Sequence, residues 1–542
     1  MDNKRLIYAV VLMLLIYYLA QTFFWPKNKL PEQLQQQSIQ TTETKPAPVL
    51  PDSTATVALT AITPTDTTNS VEVNDAIILI SDNLKLRFSN RGAVLTGIEL
   101  TNFTSHDKTS TVQLIPENEQ ILGIEMITSV RVDLSKHVFE YSLTENGIRF
   151  YVPDESGNIV VEKIFTLTDS NNLNMKFSVN SNEAVNSYTI ALASGIRDTE
   201  IYTKYKSRDY KIVAQIDNKI ERLSLSKLEE TRELGGNIAW AGIRSKYFGI
   251  GIIPEQRLRM NHLKGLAVNT SPAMYLTIVN PTSGSTFTDE FNMYIGALDY
   301  KRLGDFYGNG IENMAEMGAK WLRYISIAFL WLLQMLFKVL PNYGVSLIAF
   351  ALVLKIVLYP LAHKSMESST RMQQIQPFVK SIQKKYKKDP RKMNEEIQKL
   401  YKEHGVSPLG GCLPLLLQMP IFFALYPVLR YSIELRQANF MFWIQDLSEP
   451  DQYWVLPILM GISMFVQQML MTPSKADLEK LDEKQRAMQT NQRMMMYIMP
   501  VMMFFIFRNM PSGLVLYWMI FNVLSIFQQY WIKKKFKTEK TK

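Results

Sequence analysis

Six apolar segments crowd the C-terminal part of the chain, at residues 321–340, 343–361, 411–431, 453–472, 494–507 and 514–532. A run of about 20 apolar residues can cross a bilayer as a helix. In lipid it has little choice, because every backbone N–H and C=O must be paired within the segment itself. These runs therefore confine the region to a helical membrane bundle. One more run, 6–25, follows Lys4 and Arg5 and ends in Phe23, Phe24 and Trp25. The basic pair holds the N-terminus inside. The aromatic end suits an interfacial anchor better than a small-residue cleavage site, so the run reads as an uncleaved signal anchor.

If all six segments crossed after that anchor, residues 363–410 would face outward. They carry eleven basic residues (Lys364, Arg371, Lys380, Lys384, Lys385, Lys387, Lys388, Arg391, Lys392, Lys399, Lys402) against five acids (Glu367, Asp389, Glu395, Glu396, Glu403). So basic a loop stays in the cytoplasm. The 321–340 segment resolves the conflict. At 100° per residue its Lys320, Arg323, Gln334 and Lys338 fall within roughly a 60° arc, with Leu, Ile, Phe and Trp around the rest. That is the pattern of an amphipathic helix lying in the outer interface. The five remaining segments and the anchor then make six transmembrane helices. The 363–410 loop, the 473–493 loop and the Lys-rich tail are inside. The 432–452 loop, with Glu434, Asp446, Glu449 and Asp451 against Arg436, is outside.

Residues 26–72 are rich in Gln, Thr, Pro and Ser and cannot build a core. From about 73 to 300 the period is two. Leu84, Leu86 and Phe88 alternate with Lys85 and Arg87, and residues 138–143 and 148–152 flank Asn146-Gly147, a hairpin signal. Residues 159–167 and 175–179 add strands. Several strands joined by short polar turns predict a large β-sandwich, outside the cytoplasm because it follows an N-in anchor. From about 299 to 319 the pattern turns helical. The basic inner loop predicts a helical hairpin, with Asp389 capping and Pro390 opening its second helix and Gly405 ending it. The expected order is an anchor helix (1–25), a flexible linker (26–72), a β-sandwich domain (73–318), an interfacial helix (319–341), a second membrane helix (342–362), a cytoplasmic hairpin (363–409), membrane helices three to six (410–532) and a basic cytoplasmic tail (533–542).

One cysteine, Cys412, excludes an internal disulfide. The formal net charge of +9 is local, with Lys384, Lys385, Lys387, Lys388, Arg391 and Lys392 in one cluster and Lys533, Lys534, Lys535 and Lys537 in another. Such clusters suit anionic lipid or RNA. There is no phosphate-binding Gly-rich loop, no His-Glu-x-x-His, no Cys-x-x-Cys and no Gly-x-Ser-x-Gly, and the histidines have no ligand spacing. This speaks against an enzyme and against an ATP-driven pump, and no cofactor or metal is expected.

Lys355 is the single charge in the apolar run 345–361. A cation on a spanning helix costs about 3 kcal/mol on insertion scales. Two readings stay open on this run alone. Its stem could snorkel to the cytoplasmic interface, about 9 Å away at Leu361, or the charge could be functional. The 411–420 stretch puts Pro414, Pro420 and Gln418 into one membrane helix, which loosens its backbone and gives it a polar spot. Met494, Met495, Met496, Met499, Met502 and Met503 crowd a short helix. Methionine suits surfaces that accept many apolar partners, and it equally suits a lipid-facing wall.

Long stretches of this region are similar to one family. Tyr359-Pro360-Leu361, Gln376-Pro377 in the hairpin, the run from Pro408-Leu409-Gly410-Gly411-Cys412 through Met419-Pro420-Ile421-Phe422, Glu434-Leu435-Arg436-Gln437-Ala438, Met499-Pro500, and Pro511-Ser512-Gly513-Leu514-Val515-Leu516-Tyr517-Trp518 closely resemble the YidC/Oxa/Alb membrane protein insertases. The anchor and β-domain, with Trp240-Ala241-Gly242 and Lys246-Tyr247-Phe248, resemble the arrangement of Gram-negative members. The resemblance implies a bacterial inner-membrane protein with both termini cytoplasmic and a large periplasmic domain of sugar-binding-like sandwich type. It implies a five-helix core around a hydrophilic groove open to the cytoplasm and lipid, which inserts and helps fold other membrane proteins without nucleotide hydrolysis. The family's groove cation falls on Lys355, where arginine is usual. Gln418, Tyr517 and Trp518 carry over as groove positions, Trp518 standing where a second tyrosine is usual. The surface along which substrate helices slide carries over as Cys412, Pro414, Met419, Pro420, Met499, Pro500 and Met503. Implied partners are nascent membrane proteins, the Sec translocon, the ribosome or signal-recognition-particle pathway and anionic lipids, with no DNA. Two rivals remain: a small-solute transporter or channel using a buried lysine, and a chaperone whose working part is the β-domain.

Overall fold

The computed structural model describes residues 72–169, 171–255, 260–279, 285–306, 310–387, 389–405, 413–471 and 497–539. The expected anchor helix, nearly all of the linker, Cys412, Met494 to Met496, the 473–493 loop and the last three residues lie outside the described residues. The chain divides into two compact units, Met1–Ala315 and Glu316–Lys542.

In the first unit, alternation of apolar and polar residues gives three antiparallel sheets. Nine strands make the largest, in the spatial order Lys219–Ser224, Lys211–Ile216, Ile238–Arg244, Phe248–Pro254, Thr286–Ala297, Asn172–Asn180, Ile159–Asp169, Gly147–Pro153 and Glu140–Thr144. A six-stranded sheet runs Arg232–Gly235, Met260–Val268, Ser271–Val279, Ser187–Leu192, Gly123–Ile127 and Arg131–Asp133, and a four-stranded one runs Ile77–Ile80, Leu84–Ser89, Val94–Thr104 and Thr111–Gln113. Leu84, Leu86 and Phe88 are buried as their alternation predicts. Phe88 joins Phe165 and Phe150, at 4.8 and 6.1 Å between ring centroids, which ties the small sheet to the large one. Phe177 against Tyr188, at 5.0 Å, does the same for the six-stranded sheet. The unit is a β-sandwich with an added sheet. On the outer face of the large sheet, α1 (Tyr300–Asp305), capped by Asp299, and the 3-10 turn Ile311–Met314 cover Trp240, Ile253 and Tyr294.

The Asn146-Gly147 hairpin forms, but its turn is not where the dipeptide puts it. Thr144 pairs with Gly147, so Glu145 and Asn146 make the turn and Gly147 is the first strand residue. Its backbone is not left-handed. Glycine is required because a Cβ there would stand 2.4 Å from the carbonyl oxygen of Phe165.

Lys163, on the strand Ile159–Asp169 that pairs with this hairpin, is fully buried. Its ammonium donates to the carbonyls of Gly92 (2.8 Å), Ala93 (3.2 Å) and Leu122 (3.2 Å). All three residues have positive φ, so one cation ties down two strained turns. Burial pulls the amine from its ordinary 10.5 down to about 7.

The second unit is helical. Its elements are α2 (Arg323–Val339), α3 (Tyr343–Val357), α4 (Tyr359–Lys385), α5 (Pro390–Glu403), α6 (Leu413–Tyr431), α7 (Val455–Met471), α8 (Tyr497–Phe507) and α9 (Ser512–Glu539). Among the described residues, Ser512–Ile532 is long and apolar enough to cross a membrane, while Tyr343–Val357, Val455–Leu470 and Tyr497–Phe507 are apolar and shorter. The α2 helix divides its surface in three. Leu322, Ser326, Leu330 and Leu333 are buried, Ser326 donating to the carbonyl of Ala424 on α6 at 2.9 Å. Trp321, Tyr324, Trp331 and Val339 are exposed. The Lys320–Lys338 arc lies between these two faces.

The α3 helix opens on Asn342, whose side chain accepts from Val345 N at 3.1 Å. It stops at Leu358, and α4 begins at once with Pro360 in its first turn. The break therefore falls four residues before the expected end of the span at 362, because proline has no N–H to continue the preceding helix and suits the start of the next. Asp389 caps α5, accepting from Lys392 N at 3.1 Å, and Gly405 ends it at φ +59°, as the sequence predicts.

Candidate functional site

The site is assembled on α9. From Tyr517, every fourth residue (Tyr517, Phe521, Ser525, Gln529) returns to one side of the helix, and Gln528 flanks the last. This side meets α3 and α6. Gln418, in the middle of α6 and buried, donates to the Tyr517 hydroxyl at 3.1 Å. Tyr517 is fully buried, with its ring 5.9 Å from Phe521. The Lys355 ammonium sits 4.4 Å from the centre of the Phe521 ring and donates to Ser525 Oγ at 2.7 Å. Ser525 Oγ donates its hydrogen bond to the carbonyl of Phe521 at 2.8 Å, so its lone pairs face the lysine.

Lys355 is only 7% exposed, so it is not extended to a water interface. A cavity of about 670 Å³ opens beside it, bordered by Lys355, Tyr359, His363, Leu524, Gln528, Trp531, Ile532 and Lys534. Lys355, Tyr359 and His363 line up at four-residue spacing across the α3–α4 junction. Among the described residues no carboxylate borders this space. The cation is held by a hydroxyl and an aromatic face, both neutral, so its charge is oriented rather than cancelled.

Of the expected groove residues, Lys355, Gln418 and Tyr517 come together on one continuous stripe. Trp518 does not join them. One residue further round α9, it packs edge-on against Phe422 at 5.4 Å and Phe507 at 5.1 Å, in an aromatic cluster with α6 and α8. Of the expected sliding surface, Met419, Pro420, Met499 and Met503 are half-buried and Pro500 is buried. Met499 sulfur accepts from Gln468 Nε2 at 3.1 Å. Pro414 lies in the first turn of α6, and Cys412 lies outside the described residues. Ser525, Phe521 and Gln528 escaped sequence reasoning. Their signal was present, since a serine and two glutamines recurring on one face of an apolar helix mark a polar stripe, but only contact with Lys355 gives the stripe a meaning.

At the opposite end of the bundle, the segment between α6 and α7 meets the starts of α3 and α9, where Asn342 donates to the carbonyl of Phe440 (3.3 Å) and Ser512 Oγ to that of Asp446 (2.8 Å). Asp446 accepts from Gln437 N (3.0 Å), Ser448 N (2.8 Å) and Ser448 Oγ (2.5 Å), and Asp451 accepts from Trp443 Nε1 (3.0 Å) and Leu456 N (2.7 Å). Phe440 presses on the first turn of α3 at Gly344, where a Cβ would stand 2.0 Å from the ring.

Comparison with known proteins covers both units. The model of the YidC periplasmic domain matches residues 77–332, and that of the 60Kd inner membrane protein family matches residues 335–540. The membrane protein insertase YidC of Syntrophus aciditrophicus (strain SB) is 32% identical over 569 residues, spanning 99% of this chain and 100% of its own. That of Pelobacter propionicus (strain DSM 2379 / NBRC 103807 / OttBd1) is 30% identical, spanning 98% and 99%. A crystal structure of an active YidC insertase with its first transmembrane domain resolved aligns at TM-score 0.37 and 18% identity, over 85% of this chain and 93% of that one.

Proposed function

From the premise that the chain belongs to the YidC membrane protein insertase family, we propose that it inserts and helps fold inner-membrane proteins through the groove built on Lys355, without hydrolysing nucleotide. The observation that supports this reading is the buried ammonium of Lys355 on the wall of a cavity that no carboxylate borders among the described residues. In a partly dry space a fixed charge acts over a longer range than in water. A substrate's short polar segment, often acidic, is drawn toward it. Holding that segment partway across lowers the barrier to translocating its polar groups. The substrate's apolar helix meanwhile passes along α6 and α8, past Pro414, Met419, Pro420, Met499, Pro500 and Met503, and burial of about 20 apolar residues in lipid supplies the free energy. Trp518 acts on this apolar side rather than in the polar stripe.

In this reading six helices cross the inner membrane, the anchor and α3, α6, α7, α8 and α9, with both termini cytoplasmic and the β-sandwich in the periplasm. The hairpin of α4 and α5 and the basic tail receive ribosomes or the signal-recognition-particle pathway and touch anionic lipid. Cooperation with the Sec translocon belongs to the same proposal. The test is a Lys355 series in cells depleted of the native protein. Lys355→Arg is expected to insert small substrates, and Lys355→Glu is expected to fail. Full insertion of every substrate by Lys355→Ala would remove the charge from the mechanism.

A further inference from the structure

One turn beyond the Lys355–Ser525 contact, α9 carries two adjacent glutamines. Gln529 is buried, at 5% exposure, and Gln528 borders the Lys355 cavity. The carboxamide nitrogen and oxygen of both are shielded from solvent and have no hydrogen-bond partner among the described residues. Most buried polar side chains have one. Their neighbours leave this unmet. Leu524 and Ile532 offer no polar side-chain atom, Ser525 is engaged with Lys355 and Phe521, and His363, on the same cavity, has a buried Nδ1 that is likewise unpartnered among the described residues.

We propose that Gln528, with Gln529 beside it, is a main-chain recognition site for the polypeptide segment that enters the groove, a reading that rests on the proposed insertase function. A carboxamide has the donor and acceptor of a peptide group. In an extended chain the N–H and C=O of one residue point to the same side, and those of the next residue to the other. Gln528 Oε1 can therefore accept that N–H while its Nε2 donates to that C=O. This pairing ignores the residue's identity. An insertase needs that property, because each peptide group taken out of water without a partner is penalised whatever its side chain. Lys355 and Gln528 then divide the work: the ammonium answers side-chain charge, and the amide answers the backbone.

The experiment uses full-length protein in liposomes and a synthetic substrate with one apolar span and a short leader free of Asp and Glu. In a matched leader, consecutive amides are replaced by esters, which removes N–H donors and weakens the carbonyls. Ester replacement is expected to change the rate of insertion by the wild type several-fold. Gln528→Leu is expected to slow the all-amide leader several-fold and to respond no further to esters. An ester effect of equal size in both proteins overturns the proposal. Because Gln528→Leu disturbs packing on α9, Leu524→Cys on the same cavity, in a Cys412→Ala background that keeps the Gln528 carboxamide, supplies a second readout. Disulfides to single cysteines placed along the leader are expected at alternate positions regardless of sequence. Capture at one position only, or following one residue type, overturns it. Failure here with normal dependence of acidic leaders on Lys355 removes only the main-chain site, whereas independence from both Gln528 and Lys355 removes the groove itself.

Discussion

Two buried lysines show how much a residue's surroundings decide its meaning. Lys355 lies on an apolar helix and finds one hydroxyl and one aromatic face, so its charge remains available to a visitor. Lys163 finds three carbonyls and is wholly used up in holding turns together. Its folded value near 7 lies below the ordinary 10.5, so between these limits the unfolded chain binds the extra proton. The stability it contributes is therefore complete above about 10.5 and is lost as pH falls toward 7. Unfolding of the β-sandwich in the full-length protein, followed from pH 6 to 10, is expected to show stability rising by at most about 1.4 kcal/mol per pH unit relative to Lys163→Met. Parallel curves for the two proteins would refute the titration. At neutral pH, Lys163→Met should also destabilise the domain by about 1–3 kcal/mol for each carbonyl left without a partner. Lys163's role was not legible beforehand, whereas the family resemblance already put the groove cation on Lys355. Lys355 stood out because a charge in an apolar run is rare, whereas Lys163, in Val161-Glu162-Lys163-Ile164, looks like any solvent-facing residue of a strand.

At the scale of elements, local chemistry set most boundaries. Asn342, Asp389, Pro390 and Gly405 do what their residue types predict, since caps and breakers act through neighbours a few positions away. Pro360 stands in the first turn of α4, just past the break between it and α3. Close approaches are a different matter. Gly147 and Gly344 look alike in sequence, yet one admits a neighbouring strand and the other an aromatic ring from a segment about a hundred residues away. Gly344→Ala is expected to destabilise the membrane unit by about 1–3 kcal/mol, read as a lowered unfolding temperature in detergent. Adding Phe440→Ala should restore part of that loss. If the double variant is no better than the sum of the two, the contact is not what requires glycine. Gly147→Ala meets backbone rather than a side chain, so no second substitution should rescue it, and the unfolding temperature of the β-sandwich will report the loss.

For the whole molecule, the division into two compact units carries its own expectation. The polar stripe, the cavity and the aromatic cluster all lie within Glu316–Lys542. Deleting about 73–300 in cells depleted of the native protein should therefore reduce insertion of small substrates by no more than a few-fold. Loss of all insertion would move the working part to the β-sandwich and favour a chaperone. The sequence alone determined which regions are apolar runs and which alternate, where the caps lie and which residues carry unexpected charge or flexibility. Each of these depends on periodicity or on chemistry within a turn or two. Only the tertiary structure decided that Lys355 meets Ser525 and Phe521, that Gln418 meets Tyr517, that Trp518 turns away, and that Lys163 is consumed by three distant carbonyls. Those pairings join residues up to 170 positions apart. They are selected by burial, which makes an unmatched polar group costly and so fixes which distant partners a folded chain brings together.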